Sequence, residues 1–334
     1  MIEDEEDRQV NNVSAKFLKY HYKFNHCSPR QKQILAQAGV IPRRLAKCPV
    51  PVCSACLYGK ATRRPWRSKP SNQPSDGYVP TSPGEVVSVD QMVSNVAGLV
   101  ATMAGRPTHQ RYTVVTVFVD HATGFSFVHF QKSSNAEETT EGKEIFERYA
   151  ASFGHKIRHY HADNGIFASK AWRAHCIMQK QGLSFAAVGG HHQNGVAENK
   201  IRLLQSQART MLIHAAKRWP NAVTANLWPY AVRMANESSN ELPSLAFKDG
   251  RTPLQSFASS RATTNPKFWQ PFACPVYVLD STLQTAGAIF GKWKERSRVG
   301  LYLGRSPTHA KSVALVLIMN THHSSVPDSA GVSR

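Results

Sequence analysis

Apolar and polar positions change their rhythm along the chain, and the changes divide it. From Glu85 the pattern becomes regular: Glu85–Met92 and Arg111–Asp120 read as strands, the second (YTVVTVFVD) dense in β-branched residues. Phe125–Lys132 alternates as a third strand, and Ala136–Phe153 has helical spacing. Ile157–Ala162 is a fourth strand, Ser169–Gln181 a helix, and Leu183–Val188 a fifth strand. A long helix follows over Gln193–Arg218 and another over Asn226–Ser238. Three successive strands, then alternating helix and strand, predict an α/β fold: a mixed sheet with helices on its faces. Beyond Phe272 the segments CPVYVLD, SRVGLYLG and SVALVLIM predict a small β unit.

The organisation expected is therefore a core over 85–245 and a small basic β-rich region over 246–320. Before the core lie a Cys/His-containing unit over 16–70 and a Pro/Ser/Asn/Gly-rich linker over 71–84. Tails without apolar period, 1–15 and 321–334, are expected to be disordered.

Composition adds a partner. The 334 residues carry 41 Lys+Arg against 22 Asp+Glu, a formal charge of +19. Residues 1–70 hold +9, residues 71–190 are neutral, and residues 191–334 hold +10. Two basic flanks around a neutral middle point to a polyanion. No run of about 18 apolar residues is present, so no membrane span is expected, and MIEDEEDRQ is unlike a signal peptide. Six cysteines are too sparse for a disulfide scaffold, so the expected setting is intracellular and reducing, nucleus or cytoplasm. No Walker-type loop occurs, which removes the basis for a nucleotide cofactor.

The acids that oppose this charge suggest the chemistry. Asp90 lies inside the first strand, Asp163 closes the fourth in HYHADNG, and Glu198 opens the long helix in HHQNGVAENKIR. Three carboxylates and little else are a ligand set for hard divalent cations, Mg²⁺ or Mn²⁺. Two such ions can activate an attacking oxygen and stabilise a leaving one on phosphorus. Singly, each acid has an ordinary reading as a turn, buried or helix-capping residue, and Asp120 is a rival first carboxylate. On the long helix Ile201, Leu204, Ala208, Met211 and Ala215 form an apolar stripe. Glu198, Arg202, Gln205 and Arg209 share an adjacent face, with Lys200 nearby. Lys200, Arg202 and Arg209 are candidate phosphate contacts, the alternative being a solvated charged face.

Upstream, His21, His26, Cys53 and Cys56 supply two imidazoles and two thiolates, a tetrahedral Zn²⁺ set. Residues 21 and 26 stand about 140° apart on a helix, so a bend must bring them together. Cys27 and Cys48 are rival ligands, and free thiols with surface histidines remain the alternative. Arg63, Arg64 and Arg67 after this unit read as DNA contacts or, as the alternative, a nuclear-import patch.

The order Asp90, Asp163, Glu198, with 34 residues between the last two, resembles the Asp–Asp–Glu signature of retroviral and retrotransposon integrases. HADNG resembles the family's strand-four motif and HHQNGVAENKIR its helix start. CSACLYGKATRRPW, RTPLQSF and KERSRVGLYLGRS resemble copia-type LTR retrotransposon polyproteins in particular. The resemblance implies an RNase H-like core, an N-terminal pre-integrase HHCC module holding structural zinc, and two metal ions at Asp90, Asp163 and Glu198. It implies joining of element DNA 3′-hydroxyl ends to target DNA by homo-oligomers assembled on DNA. It also implies that the chain is a fragment or remnant of an element, because such polyproteins continue into reverse transcriptase. A silent nucleic-acid-binding remnant and a nuclease of the same fold are the alternatives. His191 and His192 depart from the family pattern, and their role stays open.

Overall fold

The β-branched segments form the expected sheet. The structure, a computed structural model, describes residues 12–63, 79–102, 105–186, 194–247, 249–260, 265–284, 291–310, 312–319 and 332–333. Strands β1 (Val87–Ala101), β2 (Pro107–Asp120), β3 (Ser126–Gln131), β4 (His159–Ala162) and β5 (Gly182–Phe185) stand in the order β3-β2-β1-β4-β5. The first three pair antiparallel, whereas β4 lies parallel to both β1 and β5. This is the mixed sheet of the RNase H-like core that the resemblance implies.

Strand alternation decides which helix covers which face. Val87, Val89, Phe118, Tyr160 and Ala162 pack with Phe146 and Ala150 of α4 (Ala136–Ala151) and Trp172 and Cys176 of α5 (Lys170–Met178). Val115, Val117 and Val119 turn the other way. They meet Leu204, Ala208, Met211 and Ala215 of α6 (Gly195–Arg218), together with Ala231 and Ala235 of α7 (Trp228–Glu241). The α6 stripe is the one predicted from the periodicity. Each large side chain so buried contributes about 1.5–3 kcal/mol, and these two layers fix the ends of β1, β4 and α6 relative to one another.

The N-terminal unit contains α1 (Val13–Lys23), α2 (Pro29–Gln37), a 3₁₀ turn over Arg43–Lys47 and α3 (Ser54–Gly59). A capping box between Ser28 and Gln31, with Pro29 in the first turn, starts α2. The unit docks on the core. Asn25 Nδ2 donates to Ser238 Oγ (3.0 Å), Gln207 Nε2 to the Asn25 carbonyl (2.7 Å), and Gln31 Nε2 to the Pro243 carbonyl (3.0 Å). Gly59 lies against α6 so closely that a Cβ there would stand 2.8 Å from Thr210 Cα. A short helix α8 (Pro253–Phe257) precedes the C-terminal sheet of β6 (Pro275–Leu279), β7 (Ser297–Arg305), β8 (Ala314–Ile318) and β9 (Val332–Ser333). Leu301, Leu303 and Leu317 of that sheet share a core with α6 and α7, and Arg305 pairs with Glu241 at 2.9 Å. No helix among the described residues is long and apolar enough to cross a membrane.

Three expectations change. Strand β1 runs nine residues past Met92, paired with the start of β2 through register shifts at Val93/Gly98 and Leu99/Ala101. Ser94, Asn95 and Gly98 in that extension dilute its apolar signal. The segment 1–15, expected to be disordered, already contains the first turn of α1 from Val13, where the Asn12 side chain caps Ser14 N. In the second tail, Val332 and Ser333 pair with Leu317 and Val316, supplying partners to a strand that is otherwise an edge. The linker stretch 71–78 and residues 320–331 lie outside the described residues.

Candidate functional site

The parallel pairing of β1 and β4 places the first two candidate acids. Val89 stands opposite Ala162, both buried in the α4/α5 layer. The residues that follow are Asp90 within β1 and Asp163 just past β4, which alternation turns to the other face. Asp163 follows β4 at a bend, where its Oδ1 accepts from Gly165 N (3.2 Å). Asn164 Nδ2 fastens that bend to the carbonyl of Ala186 after β5 (2.9 Å). Glu198 comes from the first turn of α6. Asn194 stands at the N-cap of that helix, yet its amide does not cap it; Nδ2 donates instead to the Val89 carbonyl (3.0 Å). The start of α6 is thereby tied to the strand position before Asp90.

Electrostatics agree with this placement. Burial pushes the Asp90 carboxyl up to about 6, the hydrogen bond from Gln91 N opposes the rise, and the charges of Asp163 and Glu198 add to it. Asp90 thus feels both other acids, and none of the three forms a salt bridge among the described residues. Partly buried carboxylates crowded without a cation form a donor set suited to a hard divalent ion. They are not gathered as tightly as the N-terminal donors described below, which form the one such converging group among the described residues.

Asp120, the rival carboxylate, is fully buried and saturated. It accepts from Gly84 N (2.8 Å), Thr123 N (2.9 Å) and Thr123 Oγ1 (2.7 Å), so it shapes the turn after β2.

The candidate DNA contacts divide. Lys200 is turned inward, contrary to expectation: its Nζ donates to the Gly124 carbonyl and to Ser239 Oγ, both at 3.0 Å. Burial lowers that amine to about 8. Two residues past Glu198 on a helix is a rotation of about 200°, which points Lys200 at α7 rather than at the acids. Arg202 is exposed and donates to Asn199 Oδ1 (2.6 Å). Arg209 is exposed and reaches the Gly59 carbonyl (3.3 Å), so it also joins α6 to the N-terminal unit. Arg63 is exposed. Arg64, Arg67, His191 and His192 lie outside the described residues.

The His/Cys set converges. One ligand atom from each of His21, His26, Cys53 and Cys56 lies within 4.8 Å of all the others. His21 Nε2 is 3.1 Å from Cys56 Sγ and 3.2 Å from His26 Nδ1, and His26 Nδ1 is 3.6 Å from both sulfurs. Tetrahedral zinc bonds of about 2.0–2.3 Å require donor separations of roughly 3.3–3.8 Å, close to these values. The required bend is present: Asn25 and His26 adopt left-handed φ of 54° and 59°, and His26 N closes onto the His21 carbonyl (2.8 Å). Burial lowers both imidazoles to about 4, leaving them neutral. Hydrogen bonding from Cys56, then from His21 and His26, holds the Cys53 thiol low. Neutral imidazole and thiolate are the metal-binding forms. The rivals stay apart: Cys27 packs in the hydrophobic core of the unit, and Cys48 Sγ donates to the Pro49 carbonyl (3.2 Å).

Two residues at these sites have no local sequence signature. Asn194 resembles any helix cap, and His214, whose Nδ1 lies 3.0 Å from His26 Nε2, is a single histidine on a helix. Trp293, 91% exposed between Lys292 and Lys294, stands in a turn before β7.

No family model matches the chain. It is 25% identical over 271 residues to a retrovirus-related Pol polyprotein from transposon RE1 of Arabidopsis thaliana. That match covers 79% of this chain and 16% of the relative, so the chain corresponds to a minor part of that polyprotein's length. Among solved structures, the HTLV-2 integrase catalytic core domain in complex with magnesium matches 53% of this chain and 97% of its own, with 19% identity and a TM-score of 0.35. A simian T-cell lymphotropic virus intasome in complex with the PP2A regulatory subunit B56 gamma matches 92% of this chain and 93% of its own, at 17% identity and a TM-score of 0.43. Through most of its sequence, then, the chain is similar to a segment of a transposon's retrovirus-related Pol polyprotein.

Proposed function

We propose that the chain is the integrase region of a copia-type retrotransposon, joining element DNA 3′-hydroxyl ends to target DNA. The observation that carries this reading is the pairing of Val89 with Ala162, the residues just before Asp90 and Asp163, with the start of α6, and so Glu198, tied to β1 through Asn194. These three acids would hold Mg²⁺ or Mn²⁺. Bound there, two ions supply activation of the attacking hydroxyl and neutralise charge developing on phosphorus. The chain itself would contribute position, with a strand, the turn after a second strand and a helix start, fixed by packing, presenting the carboxylates to the ions. Its exposed cations and the Trp293 platform suit a phosphate backbone and a base face. The N-terminal unit would hold zinc through His21 Nε2, His26 Nδ1 and the sulfurs of Cys53 and Cys56, as a structural site. Assembly as a homo-oligomer on DNA belongs to the same reading.

A strand-transfer assay with element-end oligonucleotides and Mg²⁺ or Mn²⁺ tests it. Joining that disappears in Glu198→Gln, in a chain that still melts cooperatively, supports the proposal. Cleavage without joining points to a nuclease, and DNA binding without turnover points to a silent remnant.

A further inference from the structure

The two histidines of the metal cluster differ in where their second nitrogen goes. His21 Nδ1 meets the Cys27 carbonyl (3.2 Å) and Lys32 Nζ (2.8 Å), both within the N-terminal unit. His26 Nε2 leaves the unit and meets Nδ1 of His214 on α6, 3.0 Å away and 188 residues distant in sequence. The two rings meet edge to face, centroids 4.8 Å apart at 86°. Tyr22 lies against the far ring with centroids 4.4 Å apart, restricting its rotation.

Proton placement follows from the cluster geometry. His26 presents Nδ1 to the sulfurs, so a metal bound there takes that lone pair and leaves the ring proton on Nε2. The proton then points at His214 Nδ1, which must accept, and the proton of His214 sits on its own Nε2. A ligating imidazole whose other N–H is held by an acceptor is fixed in tautomer and ring angle. Here the acceptor belongs to the helix that carries Glu198 sixteen residues earlier, about 24 Å along its axis.

We propose that His214 is the outer-shell partner of the N-terminal metal, orienting His26 and making zinc binding and docking of the N-terminal unit on α6 a single coupled event. This rests on the zinc reading above and adds to it a positioning residue outside the four ligands. The coupling has contacts to act through: Gln207 to the Asn25 carbonyl, Lys217 Nζ to Ser54 Oγ (2.8 Å), and Gly59 seated on Thr210, all on the face of α6 that bears His214.

Competition with a chromophoric chelator, on the full chain, measures zinc affinity for the unaltered protein, His214→Leu and His214→Asn. Loss of the acceptor in His214→Leu should weaken zinc by about 10–100-fold. His214→Asn places Oδ1 near the lost Nδ1 and should recover affinity to within about threefold. Hydrogen exchange over residues 206–218 gives a second readout. Zinc removal should speed exchange there in the unaltered chain and leave it unchanged in His214→Leu. Equal zinc affinity in His214→Leu overturns the role of His214 while the zinc site stands. An Asn variant as weak as the Leu variant overturns the acceptor role, and an unaltered chain that binds no zinc overturns both readings.

Discussion

Asn194 Nδ2 donates to the Val89 carbonyl across 3.0 Å, so the first turn of α6 and the strand bearing Asp90 are held by one buried hydrogen bond. Removing it leaves a buried carbonyl without that partner and frees the helix start. Asn194→Ala should cost about 1–2 kcal/mol in urea unfolding and lower strand transfer by about tenfold or more, because small misplacement of a ligand is expensive. Full activity at reduced stability would show that the bond is structural only.

Asp90 gives a pH signature to the metal-free chain. Its carboxyl stands at about 6 in the fold against an ordinary 3.8, chiefly through burial. Between those values the folded chain holds a proton that the unfolded chain has released, so this group's contribution falls as pH rises from about 4 to about 6. Above that window its charge destabilises the fold. Asp90→Asn should therefore raise stability in chelator at pH 7.5, by about 1 kcal/mol after allowing for solvent at the site. The gain should vanish as pH falls toward 4. Thermal melts at the two pH values measure it, and a gain that persists at pH 4 would reject the cause given.

Chelation should act on the N-terminal unit. When free zinc stands a thousandfold above its Kd, binding adds about 4 kcal/mol, and a strong chelator removes it. The melting temperature should drop, with exchange rising first over residues 13–59. Cys53→Ser and Cys56→Ser chains should be indifferent to the chelator, and an indifferent unaltered chain would count against all four ligands.

Gly59 offers a steric test of docking. A methyl group there would lie 2.8 Å from Thr210 Cα, a main-chain atom of α6 that has little freedom to retreat. Gly59→Ala should cost about 1–3 kcal/mol by overpacking, read as a lower urea midpoint. An unchanged midpoint would mean that the unit separates from α6 without loss.

The parts of this molecule that repeat a local rule were legible in its sequence. YTVVTVFVD is β2 because branched side chains suit a pleated surface, and the Ile201-to-Ala215 stripe faces the core because helical period dictates it. The places of Asp90, Asp163 and Glu198 were legible because the strands and the helix that carry them were. Lys200 was not: a cation on a charged face gives no sign of which neighbour it will meet, and the turn after β2 supplies Gly124 and α7 supplies Ser239 from elsewhere in the fold. The convergence of His21 and His26 depends on two left-handed residues, a conformation that Asn and His tolerate but do not announce. His214 was invisible for the plainest reason, its partner being 188 residues away.

That separation also sets a schedule. A ribosome adding about 5–20 residues each second takes roughly 8–32 s to pass from Cys56, the last of the four donors, to His214. Through that interval the nascent N-terminal unit has its donors but not the helix that covers them, so whatever metal reaches it first meets bare thiols. The surface that receives the unit is made well after it, and the order of assembly is written in the order of the chain.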